Sequence, residues 1–176
     1  MRSRFLELVH REIENKKAGK HARIIAKMNQ LEDPDMIGAL CDASCAGVSI
    51  DLIIRGFCCL RPGVAGETEN IRVRSIIGRF LEHSRVYYFA NGEKDLVNGE
   101  FYIGSADWMF RNLSKRIEIV TPITATVAKQ RLTEALEIFL NDSRQGWSLD
   151  SEGHYHRIES NSTQPGTHRQ LMELQA

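Results

Sequence analysis

The sequence predicts an α/β fold with a mixed β-sheet flanked by helices. Three observations predict it. Between residues 22 and 54 a short β-branched run, an Asp-Pro helix start and a second apolar run follow one another, which is a β-α-β unit and implies a parallel strand pair. Two further strand-like runs flank an Asn91-Gly92 turn and can pair antiparallel. Amphipathic helical periodicity stands near the start of the chain and again after residue 124.

In chain order, Phe5, Leu6, Val9 and Ile13 recur at helical spacing until Lys16-Lys17-Ala18-Gly19, where basic residues suit the negative helix end and Gly19 stops it. Met1 leads straight into this helix, a start that reads as the boundary of a fragment. Ala22-Arg23-Ile24-Ile25-Ala26-Lys27-Met28 is a strand, and Asp33-Pro34 caps a helix carrying Met36, Ile37, Leu40, Cys41 and Cys45 toward a core. After Gly47, the run Val48-Ser49-Ile50-Asp51-Leu52-Ile53-Ile54 is a buried strand, and Arg55 falls at its carboxyl end, where open α/β sheets place their ligands. Residues 58–70 read as a loop, and 71–81 are apolar but mixed in period. Strands are expected at Val86-Tyr87-Tyr88-Phe89, at Glu100-Phe101-Tyr102-Ile103-Gly104 and at Arg116-Ile117-Glu118-Ile119-Val120. Thr124 is expected to cap a last long helix that ends before Asn141-Asp142. Beyond Trp147 the chain reads as a polar, irregular tail, with 160–167 mobile. The domain division is therefore 1–147 and a tail at 148–176.

At 176 residues and 42% hydrophobic content, the chain can close one sizeable core. Lys+Arg and Asp+Glu both number 23, so no net field favours nucleic acid, and an anion site must be a local cluster. Cys41, Cys45, Cys58 and Cys59 have the spacing of neither a zinc knuckle nor a disulfide framework and are expected to be reduced, mostly buried thiols. No run of about 18 apolar residues and no signal peptide is present, so a cytoplasmic location is expected.

The common nucleotide and metal motifs are absent. What remains is a cationic cluster, Arg55, Arg61, Arg72, Arg74, Arg79, His83 and Arg85, in a neutral chain. Guanidinium groups match two phosphate oxygens at once, which suits such a cluster to phosphate chains. The alternative is a solvated basic face paired with Glu67, Glu69 and Glu82. His83 is an acid or base candidate, or a structural residue. Gly104-Ser105-Ala106-Asp107 is a loop that can approach a ligand, or a turn. His154 and His156 make a poor metal candidate in a Ser/Gly-rich tail, and Trp108, Met109 and Phe110 are expected to pack.

Arg55-Gly56-Phe57-Cys58-Cys59-Leu60-Arg61-Pro62-Gly63, Glu69-Asn70-Ile71-Arg72-Val73-Arg74-Ser75-Ile76, Gly78-Arg79-Phe80-Leu81-Glu82-His83-Ser84-Arg85 and Gly104-Ser105-Ala106-Asp107-Trp108-Met109 followed by Arg111-Asn112-Leu113 together resemble the C-terminal domain of the polyphosphate kinase family. Ala26-Lys27-Met28-Asn29 and Asp142-Ser143-Arg144-Gln145-Gly146-Trp147 extend the match. The resemblance implies a phospholipase D-like α/β domain, the second of two facing each other across an active site. It implies reversible transfer of the terminal phosphate of ATP to inorganic polyphosphate, with Mg2+, through a phosphohistidine. No segment here matches the phosphohistidine or the Mg2+ ligands, so both are expected in upstream domains of the same chain, and no metal ligand is expected in this one. What carries over is Arg55 and His83 as ATP- or phosphate-contacting residues, with His83 catalytic; Arg61, Arg79, Arg85 and Arg111 are expected along the polyphosphate path. The full-length enzyme is expected to be a homo-oligomer, its association with a membrane left open, and this chain alone to be inactive.

A phospholipase D signature has His-x-Lys with an acid further along, whereas here His83-Ser84-Arg85 is followed by Ala90 where the acid would stand. That departure disfavours a phosphodiesterase, which with a non-catalytic polyanion-binding module forms the alternative reading.

Overall fold

The structure, a computed structural model, describes residues 1–159 and 163–174. Helix α1 (Arg2–Lys17) buries Phe5, Leu8, Val9 and Ile13 on one stripe, ends on Lys16 and Lys17, and is followed by Gly19 at φ +72°. Strand β1 (Arg23–Met28) leads to α2 (Pro34–Cys45), whose N-cap Asp33 accepts from Met36 N at 3.1 Å ahead of Pro34. Gly47, at φ +86°, makes the reversal into β2 (Ser49–Ile54). The remaining elements are β3 (Ile71–Ile76), β4 (Val86–Phe89), β5 (Glu100–Gly104), α3 (Phe110–Ser114), β6 (Val120–Ile123), α4 (Thr126–Asn141), β7 (Gly146–Leu149), β8 (Tyr155–Arg157) and α5 (Thr167–Glu173).

The eight strands of the described residues form one sheet in the order β6-β5-β4-β1-β2-β3-β7-β8. The three central strands β1, β2 and β3 are parallel, while β4, β5 and β6 on one side and β7 and β8 on the other run antiparallel to their neighbours. Strand alternation divides the interior in two. Ile24, Ala26 and Met28 of β1 and Ile50, Leu52 and Ile54 of β2 meet α1 and α2 on one face. Ile25 and Ile53 meet Leu136 and Phe139 of α4 on the other. Each fully buried Leu, Ile or Phe contributes about 1.5–3 kcal/mol, so two clusters of this size fix which face each helix covers.

Four expectations are corrected. The strand expected at 116–120 begins at Val120 instead: Ile117 and Ile119 alternate as a strand would but are 99% and 70% exposed, and Glu118 is held by Ser105 and Asn112. Thr124 does not cap α4; the N-cap position is Ala125, with no side-chain bond. The cysteines are free but not mostly buried, since Cys45 and Cys59 are exposed and Cys41 and Cys58 half-buried; burial pushes the Cys58 thiol up to about 11. The chain beyond Trp147 is not irregular: the expected division at 147 falls inside β7, and β8 and α5 follow. Of the segment expected to be mobile, 160–162 lie outside the described residues, whereas Thr167 opens α5 and is fully buried.

Candidate functional site

Four strand ends converge on one edge of the sheet. Parallel β1 and β2 deliver Asn29 and Arg55 at their carboxyl ends. Antiparallel β4 starts at that edge, because Val86 pairs with Lys27, and so brings in His83 and Arg85 from the preceding segment. Strand β5 returns to it and releases the loop Ser105-Ala106-Asp107.

These residues are hydrogen-bonded in series. Arg55 Nε donates to Asn29 Oδ1 at 3.0 Å. The Asn29 backbone N and Nδ2 both donate to Asp107 Oδ1, at 2.8 and 3.2 Å. Arg85 donates from Nε to Asp107 Oδ1 at 3.1 Å and from Nη2 to Oδ2 at 3.3 Å, a side-on pair between side chains 11% and 7% exposed. Arg85 Nη1 then donates to the His83 carbonyl at 2.7 Å and lies 3.1 Å from His83 Nδ1. An arginine nitrogen can only donate, so the nearer Nδ1 accepts there, while Arg85 Nη2 stands 3.4 Å from His83 Nε2, so that the guanidinium spans both ring nitrogens. Asp107 is thus the hub: buried, it satisfies two cationic or amide partners that hold Arg55 and His83 on either side of it.

Below this network the packing is dense. Trp108 is fully buried with ring centroids 5.4 Å from Phe5 and 5.1 Å from Tyr87, and its carbonyl accepts from Glu32 N and Asp33 N at 2.9 Å. The Tyr87 hydroxyl donates to the Ala106 carbonyl. Gly56 N donates to Asn29 O at 2.7 Å, and a Cβ at Gly56 would stand 3.0 Å from that oxygen. Lys27, 3% exposed, donates to Ser84 O at 2.8 Å, is paired with Glu82, and lies 5.1 Å from the Phe139 ring centre. Burial lowers the Lys27 ammonium from its ordinary value, against the pull of Glu82. Burial works against charge on Glu82 too, but Lys27 and Ser84 outweigh it and hold that carboxyl below its ordinary value. This pair anchors the segment that carries His83.

The structure therefore joins Arg55, His83 and Arg85. Arg55 is half-buried and His83 exposed. Arg79 is exposed over the Phe80 ring, 5.4 Å from its centre, on the same segment but outside the network. Arg61 and Arg111 are exposed, and among the described residues neither is hydrogen-bonded to it. Arg72 and Arg74 serve the fold: Arg72 Nε donates to Asp51 at 2.8 Å, and Arg74 donates to the Phe139 and Leu140 carbonyls at the end of α4. Neither pairs with Glu67, Glu69 or Glu82 as the solvated-face reading has it, although Arg61 and Arg79 are exposed as that reading expects.

Sequence reasoning alone underrated Asn29, Lys27 and Asp107. The signal was a polar residue immediately after β1 and after β2, together with the small-residue approach of Gly104-Ser105-Ala106 to Asp107. His154 and His156 surround Asp150 in the turn between β7 and β8, His156 Nε2 at 2.6 Å from Oδ2. Among the described residues no group of three or more His, Cys, Asp or Glu side chains is placed to hold a metal ion.

Comparison with known proteins agrees with this architecture. A polyphosphate kinase from Thermosynechococcus vestitus is 54% identical over 176 residues, 98% of this chain and 23% of its own length. The crystal structure of a polyphosphate kinase from Porphyromonas gingivalis superposes with a TM-score of 0.92 at 38% identity, covering 99% of this chain and 26% of that one. The phospholipase D family member Nuc from Salmonella typhimurium matches at a TM-score of 0.54 and 17% identity over 80% of this chain and 89% of its own, which shows a shared phospholipase D-like fold. The chain spans about a quarter of the length of the curated relatives it matches. The family model for the polyphosphate kinase C-terminal domain 2 matches residues 1–170, nearly the whole of the chain, and the chain belongs to that family.

Proposed function

We propose that this chain supplies, within a longer polyphosphate kinase, the groups that bind and polarise the phosphate being passed between ATP and inorganic polyphosphate. The observation that carries this reading is the series Arg55, Asn29, Asp107, Arg85, His83 on one sheet edge. Arg55 spends only Nε on Asn29, and its two terminal nitrogens have no hydrogen-bond partner among the described residues. They form a fork with a fixed plane, suited to two phosphate oxygens. The exposed His83 ring, held beside the Arg85 guanidinium, serves the leaving oxygen as proton or hydrogen-bond donor. Phosphoryl transfer needs positioning and charge stabilisation at the equatorial oxygens more than covalent help, and this arrangement offers that.

The attacking or phosphate-carrying histidine belongs, on this reading, to the remainder of the longer protein. Mg2+ does not fit the residues here: it asks for an octahedral set of oxygens, and the Asp107 oxygens are already occupied by Arg85 and Asn29. No step is therefore assigned to it on this chain. The cytosol is the proposed compartment, supported by four free cysteines; no described helix is long and apolar enough to cross a membrane. The phosphodiesterase reading is not favoured, because Arg85 stands paired to Asp107 where a lysine would be and Ala90 is fully buried where an acid would be.

In the full-length protein, Arg55→Ala and His83→Ala are each expected to lower polyphosphate synthesis at least ~100-fold, the scale of losing one charge-stabilising donor. Normal synthesis by both would overturn the assignment.

A further inference from the structure

A second cavity, of about 380 Å³, opens at the same edge of the sheet beside β3 and β7 and is lined by Arg79, Phe80, Arg144, Gln145, His168 and Arg169, with no carboxylate among its described lining residues. In a chain of zero net charge, three arginines around one cavity are a local concentration of positive charge.

The cavity is built, not incidental. Asp142, 4% exposed, accepts from Arg144 N at 2.6 Å, from Gln145 N at 2.7 Å and from Thr167 N at 2.6 Å, and so ties the loop after α4 to the start of α5. Gln145 Oε1 accepts from His168 N at 3.1 Å, and His168 Nδ1 accepts from Phe80 N at 3.0 Å. Gly78 and Gly166 allow this closeness, since a Cβ at either would meet Gln145 at 2.0 or 2.5 Å. With Nδ1 accepting, the His168 ring proton sits on Nε2. His168 is only 5% exposed, and its Nε2 has no hydrogen-bond partner among the described residues. A buried donor without an acceptor is costly, so it points to a ligand that supplies one.

Arg144 and Arg169 are held lightly. Arg144 donates to the Gln164 carbonyl at 3.3 Å, and Arg169 pairs with Glu173 in an exposed contact at 2.9 Å. Both can exchange these partners for a ligand oxyanion at little cost.

The position relates this cavity to the first site. Segment 77–85 runs from Arg79 and Phe80 to His83, and Ser75 Oγ at the end of β3 donates to the Arg55 carbonyl at 3.2 Å. Ile76 at the end of β3 pairs with Gly146 at the start of β7, two strands from β2 and hence about 10 Å across the sheet. The geometry points to a polyanion track along the sheet edge, in which the cavity at β7 and α5 holds phosphates of the polyphosphate chain several units from the one that reacts. This rests on the proposed kinase reading and adds to it a residue set, Arg79, Arg144, His168 and Arg169, that selects for chain length.

The test uses the full-length protein and compares Michaelis constants for long-chain polyphosphate and tripolyphosphate in the ATP-forming direction. Arg144→Ala combined with Arg169→Ala is expected to raise the long-to-short ratio of KM roughly tenfold, with most of the effect restored by the double lysine replacement. Both side chains are exposed, so an unchanged melting temperature checks the fold. An unchanged ratio, or an equal rise for both chain lengths, overturns the track. The two readings fail separately: normal synthesis by Arg55→Ala and His83→Ala removes the assignment of the first site, whereas loss of synthesis in those variants with an unchanged KM ratio in the Arg144/Arg169 variant removes the track alone.

Discussion

Asp107 shows how one buried carboxylate can organise two cations it does not neutralise equally. Its two oxygens serve Arg85 directly and Arg55 only through Asn29. Asp107→Asn leaves Arg85 in a nearly buried place without a counter-charge, and a loss of about 3 kcal/mol in urea unfolding is expected. Asn29→Ala should leave stability closer to that of the parent but release Arg55 from its plane, so that activity of the full-length enzyme falls about tenfold, read as kcat/KM. Arg55→Lys is expected to rescue little, because a lysine lacks the fork. These roles were only partly legible. Arg55 could be placed from its position after a parallel strand, but the carboxylate it depends on lies on a loop 52 residues later (Asp107 minus Arg55), and no local pattern announces that pairing.

At the scale of elements, what was readable follows apolar periodicity and what was not follows polar burial or edge position. Strands β1 and β2 and helix α2 match their β-branched runs, their Pro and their cap. The expected strand ended at Val120, where β6 begins; β6 runs on through Pro122, which an edge strand accommodates because a missing donor costs little there. Helix α5 was missed because it is short and held by its polar N-terminal residues, Thr167 and His168, which are buried on Asp142 and Gln145. That junction gives a pH signature. Burial works against ionised Asp142, but hydrogen bonds from Gln145, Thr167 and Arg144 prevail and hold its carboxyl below the ordinary 3.8. Its stabilisation is therefore complete above that value and lost as pH falls through the lower folded-state value. Asp51, Glu82 and Glu100 are lowered too and act in the same direction, whereas burial raises Glu12 and opposes them. Asp142→Asn should flatten the acid limb of a plot of unfolding free energy against pH below about pH 4 without abolishing it. Close approach gives a second expectation: a Cβ at Gly104 would stand 2.3 Å from Ile119 O, so Gly104→Ala should push β6 off β5 and cost roughly 2 kcal/mol, measured by thermal unfolding.

For the molecule as a whole, the α/β class and the site edge were legible because a β-α-β unit fixes a parallel pair and a parallel pair fixes which end receives ligands. The order of the other strands was not. Residues 86–89 settle beside residues 23–28, and residues 146–149 beside 71–76. Those neighbours are chosen by two packed faces, and a strand run does not name its partner.

This wiring has a kinetic consequence. The series from Arg55 to His83 needs β1 to meet β4, a closure across some sixty residues, while the track beside it needs β3 to meet β7, across about seventy, and loops of such length close late in folding. A phosphate-chain probe mixed with refolding protein should therefore gain affinity only in the last observable phase, after most helical signal has returned. Affinity that rises together with the early helical signal would mean that the sheet edge forms before its central strands have found their neighbours.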